Sequence, residues 1–322
     1  MSMSRNLIVT IAQLTEQHRA HIRSAAGAQG FTVTFFEEDA EAIPVLPDAE
    51  ILFSQSGRLA RLAPRLRWQC TPSAGINQFT APDTFVSAET LLTNSSGAYG
   101  VTIAEHIVMV TLDLMRRQQE YAQIVARREW RRDLAVRSIR DCRVTLLGTG
   151  DIGQETAIRL RAFTPARLIG VNRSGANPRG LFDAVFAQEQ LPTLLPETDL
   201  VILSLPGTAD TDRMIDEERL SLLPDGAFLV NVGRGNAVDQ RALERELRAG
   251  RLFAALDVFE KEPLPREHPL WDCPNLLITP HVAGNMTLPY TQDRIVELFL
   301  EDFENYCAGR PLKRQVDLNR GY

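Results

Sequence analysis

The chain of 322 residues is poor in several features that would place a protein in a particular class. It has four cysteines, Cys70, Cys142, Cys273 and Cys307, spread far apart with no CxxC pair. That excludes the spacing of a zinc site or a disulfide framework, predicts reduced thiols, and leaves no metal expected. No run of about 18 apolar residues occurs, and the start "MSMSRNLIVT" lacks the apolar segment of a signal peptide. Neither a membrane span nor secretion is expected, and the location predicted is the cytoplasm. Positive charge is not in excess, with 35 Lys and Arg against 41 Asp and Glu. A nucleic-acid surface depends on clustered cations, so none is expected here. A small anionic substrate would need only a local positive site. Internal repeats and low-complexity tracts are also missing.

What is present is an ordinary globular composition, 44% hydrophobic and 24% charged, with room for two domains of about 150 residues each. Over the first hundred residues the short apolar runs "LIVT", "FTVTFF", "ILFS", "RWQCT" and "TLLTNSS" alternate with polar or helical stretches, the pattern of an α/β unit. A long helical pattern follows from Val101 to about Trp130, with Ile103, Ile107, Val110 and Leu114 on one face. Its second half, "RRQQEYAQIVARREWRRD", is so charged that it must leave the core. A second α/β series then runs through "CRVTLLG", "ARLIGVN", "DLVILSLP", "GAFLVNVG", "LFAALDVF" and "NLLITPH". These runs are apolar on successive residues, as expected of parallel strands covered on both faces, and they predict a doubly wound nucleotide-binding sheet. The closing helical stretch "TQDRIVELFLEDFENYCAG" returns to the first domain.

"GTGDIG" places Gly148, Gly150 and Gly153 directly after the strand "VTLL" and at the opening of the helical stretch "DIGQETAIRLRAF". Alone the pattern is weak, but this context is the one the mechanism requires. Gly148 allows the tight turn, Gly150 lets backbone approach a pyrophosphate, and Gly153 lets the helix pack on the strand. The helix N-terminus then faces the phosphates. At the end of the next strand, where an acid would bind the adenosine ribose, the chain carries Asn172, Arg173 and Ser174. Asparagine does not repel a 2′-phosphate, arginine pairs with one, and the serine hydroxyl donates to one. NADP is therefore the expected cofactor, with NAD possible and Arg179 a candidate second cation. The alternative is a solvated loop.

From "LRWQCTPSAGIN" through "GTGDIG", "NVGRGNAVD", "ALDVFEKEPLP" and "TPHVAG" to "VDLNRGY", the chain resembles the NAD(P)-dependent D-isomer-specific 2-hydroxyacid dehydrogenases nearly end to end. The resemblance implies a Rossmann dinucleotide-binding domain, residues 100–286, inserted into a flavodoxin-like substrate domain of residues 1–99 and 287–322. It implies that Arg234, Glu262 and His281 carry the chemistry. These residue types suit the reaction, because reducing a 2-oxo acid needs a cation to grip carboxylate and carbonyl, and an acid to protonate the alkoxide. Arg234 follows "GAFLVNVG" and His281 ends "LLITPH", both at the C-terminal ends of strands, where sites form in open parallel sheets. A planar guanidinium gives a two-point grip. Histidine exchanges a proton near neutral pH. Glu262 would hold the other imidazole nitrogen. It is chosen over nearby Glu260 because it stands before Pro263, as in the family's "EP" pattern.

The resemblance further implies a substrate-carboxylate loop at Ser73, Ala74 and Gly75, although Asn77 stands where the family often has aspartate. Asp257 is expected to meet the nicotinamide amide, and Leu205 and Pro206 to bracket the adenosine. Asp151, Ile152, Val232, Gly233 and Gly284 are expected to border the cofactor. Tyr99 and Tyr290 either line the pocket or are ordinary packing. An arm over residues 115–140, with Trp130, is expected to join two subunits into a homodimer. The leading substrates are glyoxylate and hydroxypyruvate; the rival expectations are a phosphoglycerate dehydrogenase-type enzyme and a dinucleotide-sensing corepressor.

Overall fold

A computed structural model describes residues 5–177 and 179–318. The chain divides into two compact units, one formed by the residues up to Tyr99 with those from Asn285 onward, the other by Gly100–Gly284.

The first unit holds β1 (Arg5–Val9), β2 (Phe31–Phe35), β3 (Ala49–Phe53), β4 (Trp68–Cys70) and β5 (Leu91–Thr93). All pair in parallel, in the order β2-β1-β3-β4-β5, which is the flavodoxin-like winding. These are the five apolar runs of the sequence. Most side chains of β1, β3, β4 and β5 are buried, as parallel sheets covered on both faces demand, while the edge strand β2 buries only Phe31. The closing helix Pro289–Cys307 belongs to this unit and buries Ile295, Phe299 and Phe303. Phe299 stacks on Phe53 with centroids 4.2 Å apart and on Trp68 at 5.4 Å. The Trp68 indole donates to Thr93 Oγ1 at 3.0 Å, so its polar edge is satisfied inside the core.

The second unit holds seven parallel strands: β6 (Arg143–Leu147), β7 (Arg167–Asn172), β8 (Ala184–Ala187), β9 (Leu200–Leu203), β10 (Phe228–Asn231), β11 (Phe253–Leu256) and β12 (Leu276–Ile278). Their order, β12-β11-β10-β9-β6-β7-β8, reverses direction between β6 and β9, the Rossmann arrangement. Six of them are the apolar runs of the sequence. β8 is an addition: it is four residues long, half-buried throughout, and lies at the sheet edge, where no long apolar run is required.

The long helix expected over Val101–Trp130 is two helices, Gly100–Arg116 and Gln118–Ala126, parted at Arg117, whose φ is +55°. The first buries Ile103, Ile107, Val110 and Leu114, as its spacing requires. The second buries only Ile124. Charge and the lack of apolar partners end helical structure at Ala126, and Trp130 is 92% exposed.

Candidate active site

The C-terminal ends of β6 and β9 flank the point where strand order reverses, where open α/β sheets leave a crevice. Gly148 directly follows β6 with φ +97°, and a Cβ there would lie 2.8 Å from the Ser204 carbonyl oxygen. A Cβ at Gly153 would lie 2.0 Å from the Gly148 carbonyl oxygen, so only glycine lets the helix Asp151–Arg161 start this close to the strand. A Cβ at Gly150 would meet nothing within 4 Å. That leaves space in front of the helix N-terminus, where the first-turn N–H groups of Asp151, Ile152 and Gly153 have no intrahelical acceptors. These features fit a dinucleotide pyrophosphate.

Leu205 and Pro206 follow β9, with the Pro206 carbonyl held by Thr211 Oγ1 at 2.6 Å. The next loop presses against them: a Cβ on Gly233 would lie 2.6 Å from the Leu205 nitrogen. Val232 beside it is buried, and Gly284, at the end of the unit, is half-buried. At the end of β7 the Asn172 side chain is engaged at both ends. Its amide donates to Thr149 Oγ1 and the Ala176 carbonyl at 2.7 and 2.9 Å, and its oxygen accepts from the Ser174 and Gly175 N–H groups at 3.0 and 2.6 Å. Asn172 thus shapes the turn that presents Arg173 and Ser174. Arg173 lies 3.6 Å from Asp210 with both side chains exposed, and Arg179 donates to Gln154 at 2.6 Å.

Arg234 follows β10 and is half-buried, donating to the Gly233 carbonyl at 2.7 Å. Burial lowers its pKa from the ordinary value, and the charge of Glu262 acts in the opposite sense. The loop is set by Asn231, 1% exposed, which accepts from Gly233 N–H at 3.0 Å and donates to the Arg234 carbonyl at 2.9 Å. Sequence reasoning passed over Asn231. Its signal was an amide in the apolar run "GAFLVNVG", where a buried polar side chain must find partners.

Glu262 accepts from Phe259 N–H at 2.9 Å with one oxygen and lies 2.6 Å from His281 Nδ1 with the other. Glu260 points elsewhere, toward the Gln240 N–H at 3.5 Å. With Nδ1 on the carboxylate, Nε2 is the imidazole atom left for proton exchange. His281 has φ +54°, an uncommon conformation for a residue with a Cβ, and its side chain is half exposed. Asp257 directly follows β11. Its carboxylate is buried and is taken up by Thr279 Oγ1 and by the N–H groups of Val282 and Ala283.

In the first unit four successive carbonyls of the "TPSAGIN" loop are held. Pro72 O accepts from the Tyr99 hydroxyl at 2.7 Å, Ser73 O from Ser95 N–H at 3.0 Å, Ala74 O from Asn94 at 2.9 Å and Gly75 O from the Ser73 hydroxyl at 2.7 Å. Tyr99 is therefore a buried organiser of this loop, its phenol pKa raised by burial. Tyr290 is exposed in the first turn of the closing helix. Among the described residues no cluster of His, Cys, Asp and Glu suits a metal ion, and no helix is long and apolar enough to cross a membrane.

Residues 108–283 match the family model of the D-isomer specific 2-hydroxyacid dehydrogenase NAD binding domain. A glyoxylate/hydroxypyruvate reductase B from Pectobacterium atrosepticum is 34% identical over 80% of this chain and 82% of its own. Among solved structures, a D-isomer specific 2-hydroxyacid dehydrogenase family protein from Aeromonas salmonicida matches with TM-score 0.86 at 30% identity, over 98% and 99% of the two chains. An NADPH-dependent glyoxylate/hydroxypyruvate reductase from Sinorhizobium meliloti, in complex with NADP and sulfate, matches with TM-score 0.83 at 26% identity, over 99% and 100%. The chain belongs to the D-isomer specific 2-hydroxyacid dehydrogenase family. It is an oxidoreductase that works with a nicotinamide dinucleotide.

Proposed function

We propose that this enzyme uses NADPH to reduce a small 2-oxo acid, glyoxylate or hydroxypyruvate, to the D-2-hydroxy acid. The observation that carries the reading is the His281–Glu262 contact at 2.6 Å in the same unit as half-buried Arg234, which feels the charge of Glu262. The names of the relatives from Pectobacterium and Sinorhizobium support the choice of substrate. When bound, the dinucleotide supplies the hydride to the carbonyl carbon. Arg234 holds the carboxylate and polarises the carbonyl with its planar fork. His281 gives its Nε2 proton to the carbonyl oxygen and ends neutral, while Glu262 steadies the charged imidazole beforehand. In a trans peptide the C=O and N–H point in opposite directions, so pinning the carbonyls of Ser73 and Ala74 turns the N–H groups of Ala74 and Gly75 the other way. That orientation suits a carboxylate.

Arg173 and Ser174 take the 2′-phosphate of NADPH in this reading. Asp210 competes for Arg173, but an ion pair this exposed contributes only about 0–1 kcal/mol. A charge-assisted contact to phosphate contributes about 1.5–3 kcal/mol, so the phosphate wins. The test is Arg173→Ala. It is expected to lower kcat/KM for NADPH by about 10- to 100-fold and to leave NADH nearly unchanged, and an equal loss with both cofactors refutes the assignment. The segment carrying exposed Trp130 and Val125 is assigned as the contact surface of a twofold homodimer.

A further inference from the structure

The turn that carries His281 is held by Asp257, just after β11. One carboxylate oxygen accepts from Thr279 Oγ1 at 2.6 Å and from Val282 N–H at 2.9 Å; the other accepts from Ala283 N–H at 3.0 Å. The Asp257 main-chain oxygen accepts from His281 N–H at 2.9 Å. His281 is thus clasped on both sides by one buried aspartate, which holds its positive φ. A left-handed residue with a Cβ is strained and persists only where its surroundings enforce it.

The clasp continues outward to a residue with no role in the reading above. His106, on the helix Gly100–Arg116, places Nε2 3.2 Å from Thr279 Oγ1, and its side chain is 10% exposed. Thr279 has a single hydroxyl proton, and Asp257 can only accept, so that proton lies on the Asp257 side. The Thr279 oxygen is then an acceptor toward His106, which fixes the N–H on Nε2. Burial lowers the His106 pKa, against the pull of Asp257 3.9 Å away, so the imidazole serves as a neutral donor.

We propose that His106 is a positioning residue: through Thr279 and Asp257 it fixes the turn that sets His281 against Glu262. This rests on the reading of His281 as the proton donor. A histidine that only filled space would need no hydroxyl aligned on its ring nitrogen, nor a carboxylate behind that hydroxyl. The chain His106, Thr279, Asp257 places one donor, one relay and one acceptor in series, and its far end is the backbone of the reacting residue.

The test compares variants that keep or remove each link, assayed with hydroxypyruvate and NADPH. Thr279→Val removes the hydroxyl at nearly constant shape, and His106→Leu removes the donor. Each is expected to lower kcat by about tenfold, the scale of a small misplacement of a reacting group. KM for the 2-oxo acid and Kd for NADPH, read by cofactor fluorescence, should change less than about twofold on that same account. Thr279→Ser and His106→Gln restore a hydroxyl and an N–H, and most of kcat should return. If His106→Leu does not fold, the valine and serine variants at Thr279 decide. Wild-type kcat in Thr279→Val, or loss of kcat and cofactor affinity together with no recovery in Thr279→Ser, overturns the proposal. His281→Ala separates the two ideas. Full turnover in His281→Ala removes the proton-donor reading itself, whereas an inactive His281→Ala beside an unaffected Thr279→Val removes only the positioning role.

Discussion

At the scale of single residues, the account turns on which atom of His281 carries the reacting proton. Glu262 occupies Nδ1 at 2.6 Å, so Nε2 is the atom assigned to the substrate oxygen. Replacing His281 by Ala should cost at least about 10²-fold in turnover, the typical value of a positioned general acid, with cofactor binding nearly unchanged. Glu262→Gln keeps the shape and removes the charge, which takes support from the imidazolium. Reduction requires that charged form, so kcat for reduction should fall by about tenfold or more. Wild-type kcat in this variant would remove Glu262 from the proton-transfer pair. The His281–Glu262 contact was legible in the sequence through the family resemblance, whose "EP" pattern singled out Glu262 over Glu260. The roles of Asn231 and His106 were not. Both act through hydrogen bonds to neighbours brought close only by folding; Asn231 opens the motif "NVGRGNAVD", but the motif pointed to Arg234 and not to it.

At the scale of elements, strand signals were read well and breaks were not. Five runs in the first unit and six in the second were legible because parallel strands bury both faces and so write themselves as continuous apolar stretches. β8 was missed because an edge strand needs no such stretch. The break at Arg117 was missed because an arginine carries no breaker signal, and its left-handed backbone is fixed by surroundings that propensity does not see. The glycine loop was legible to the residue. It also makes the sharpest element-scale prediction. In Gly153→Ala the new Cβ would meet backbone, the Gly148 carbonyl oxygen, rather than a side chain that can swing away. The helix must retreat from β6, so cofactor affinity should fall at least about tenfold, as expected when a first-turn contact to phosphate is lost. Titration of NADPH into the variant checks this, and wild-type affinity would show that the close approach is dispensable.

At the scale of the whole molecule, the chain forms one unit of flavodoxin-like and one of Rossmann winding, and one segment of the second leaves large apolar side chains exposed. Trp130 at 92% exposed and Val125 at 69% lie where the helical pattern loses its core. These two exposed side chains, five residues apart, are the basis of the homodimer proposed above. Light scattering should therefore report a particle of twice 36.0 kDa, and Trp130→Glu should lower it toward one copy. A wild-type monomer at micromolar concentration would contradict the assignment.

The central claim, that this family member is an NADPH-linked reductase of small 2-oxo acids, is met most directly by one spectrophotometric experiment. Wild-type protein is mixed with NADPH or NADH and with glyoxylate or hydroxypyruvate, and the loss of reduced-nicotinamide absorbance is followed. The account predicts rapid loss with NADPH and at least one of the two acids, and a lower kcat/KM with NADH. Consumption of neither cofactor with either acid, or a clear preference for NADH, would contradict it.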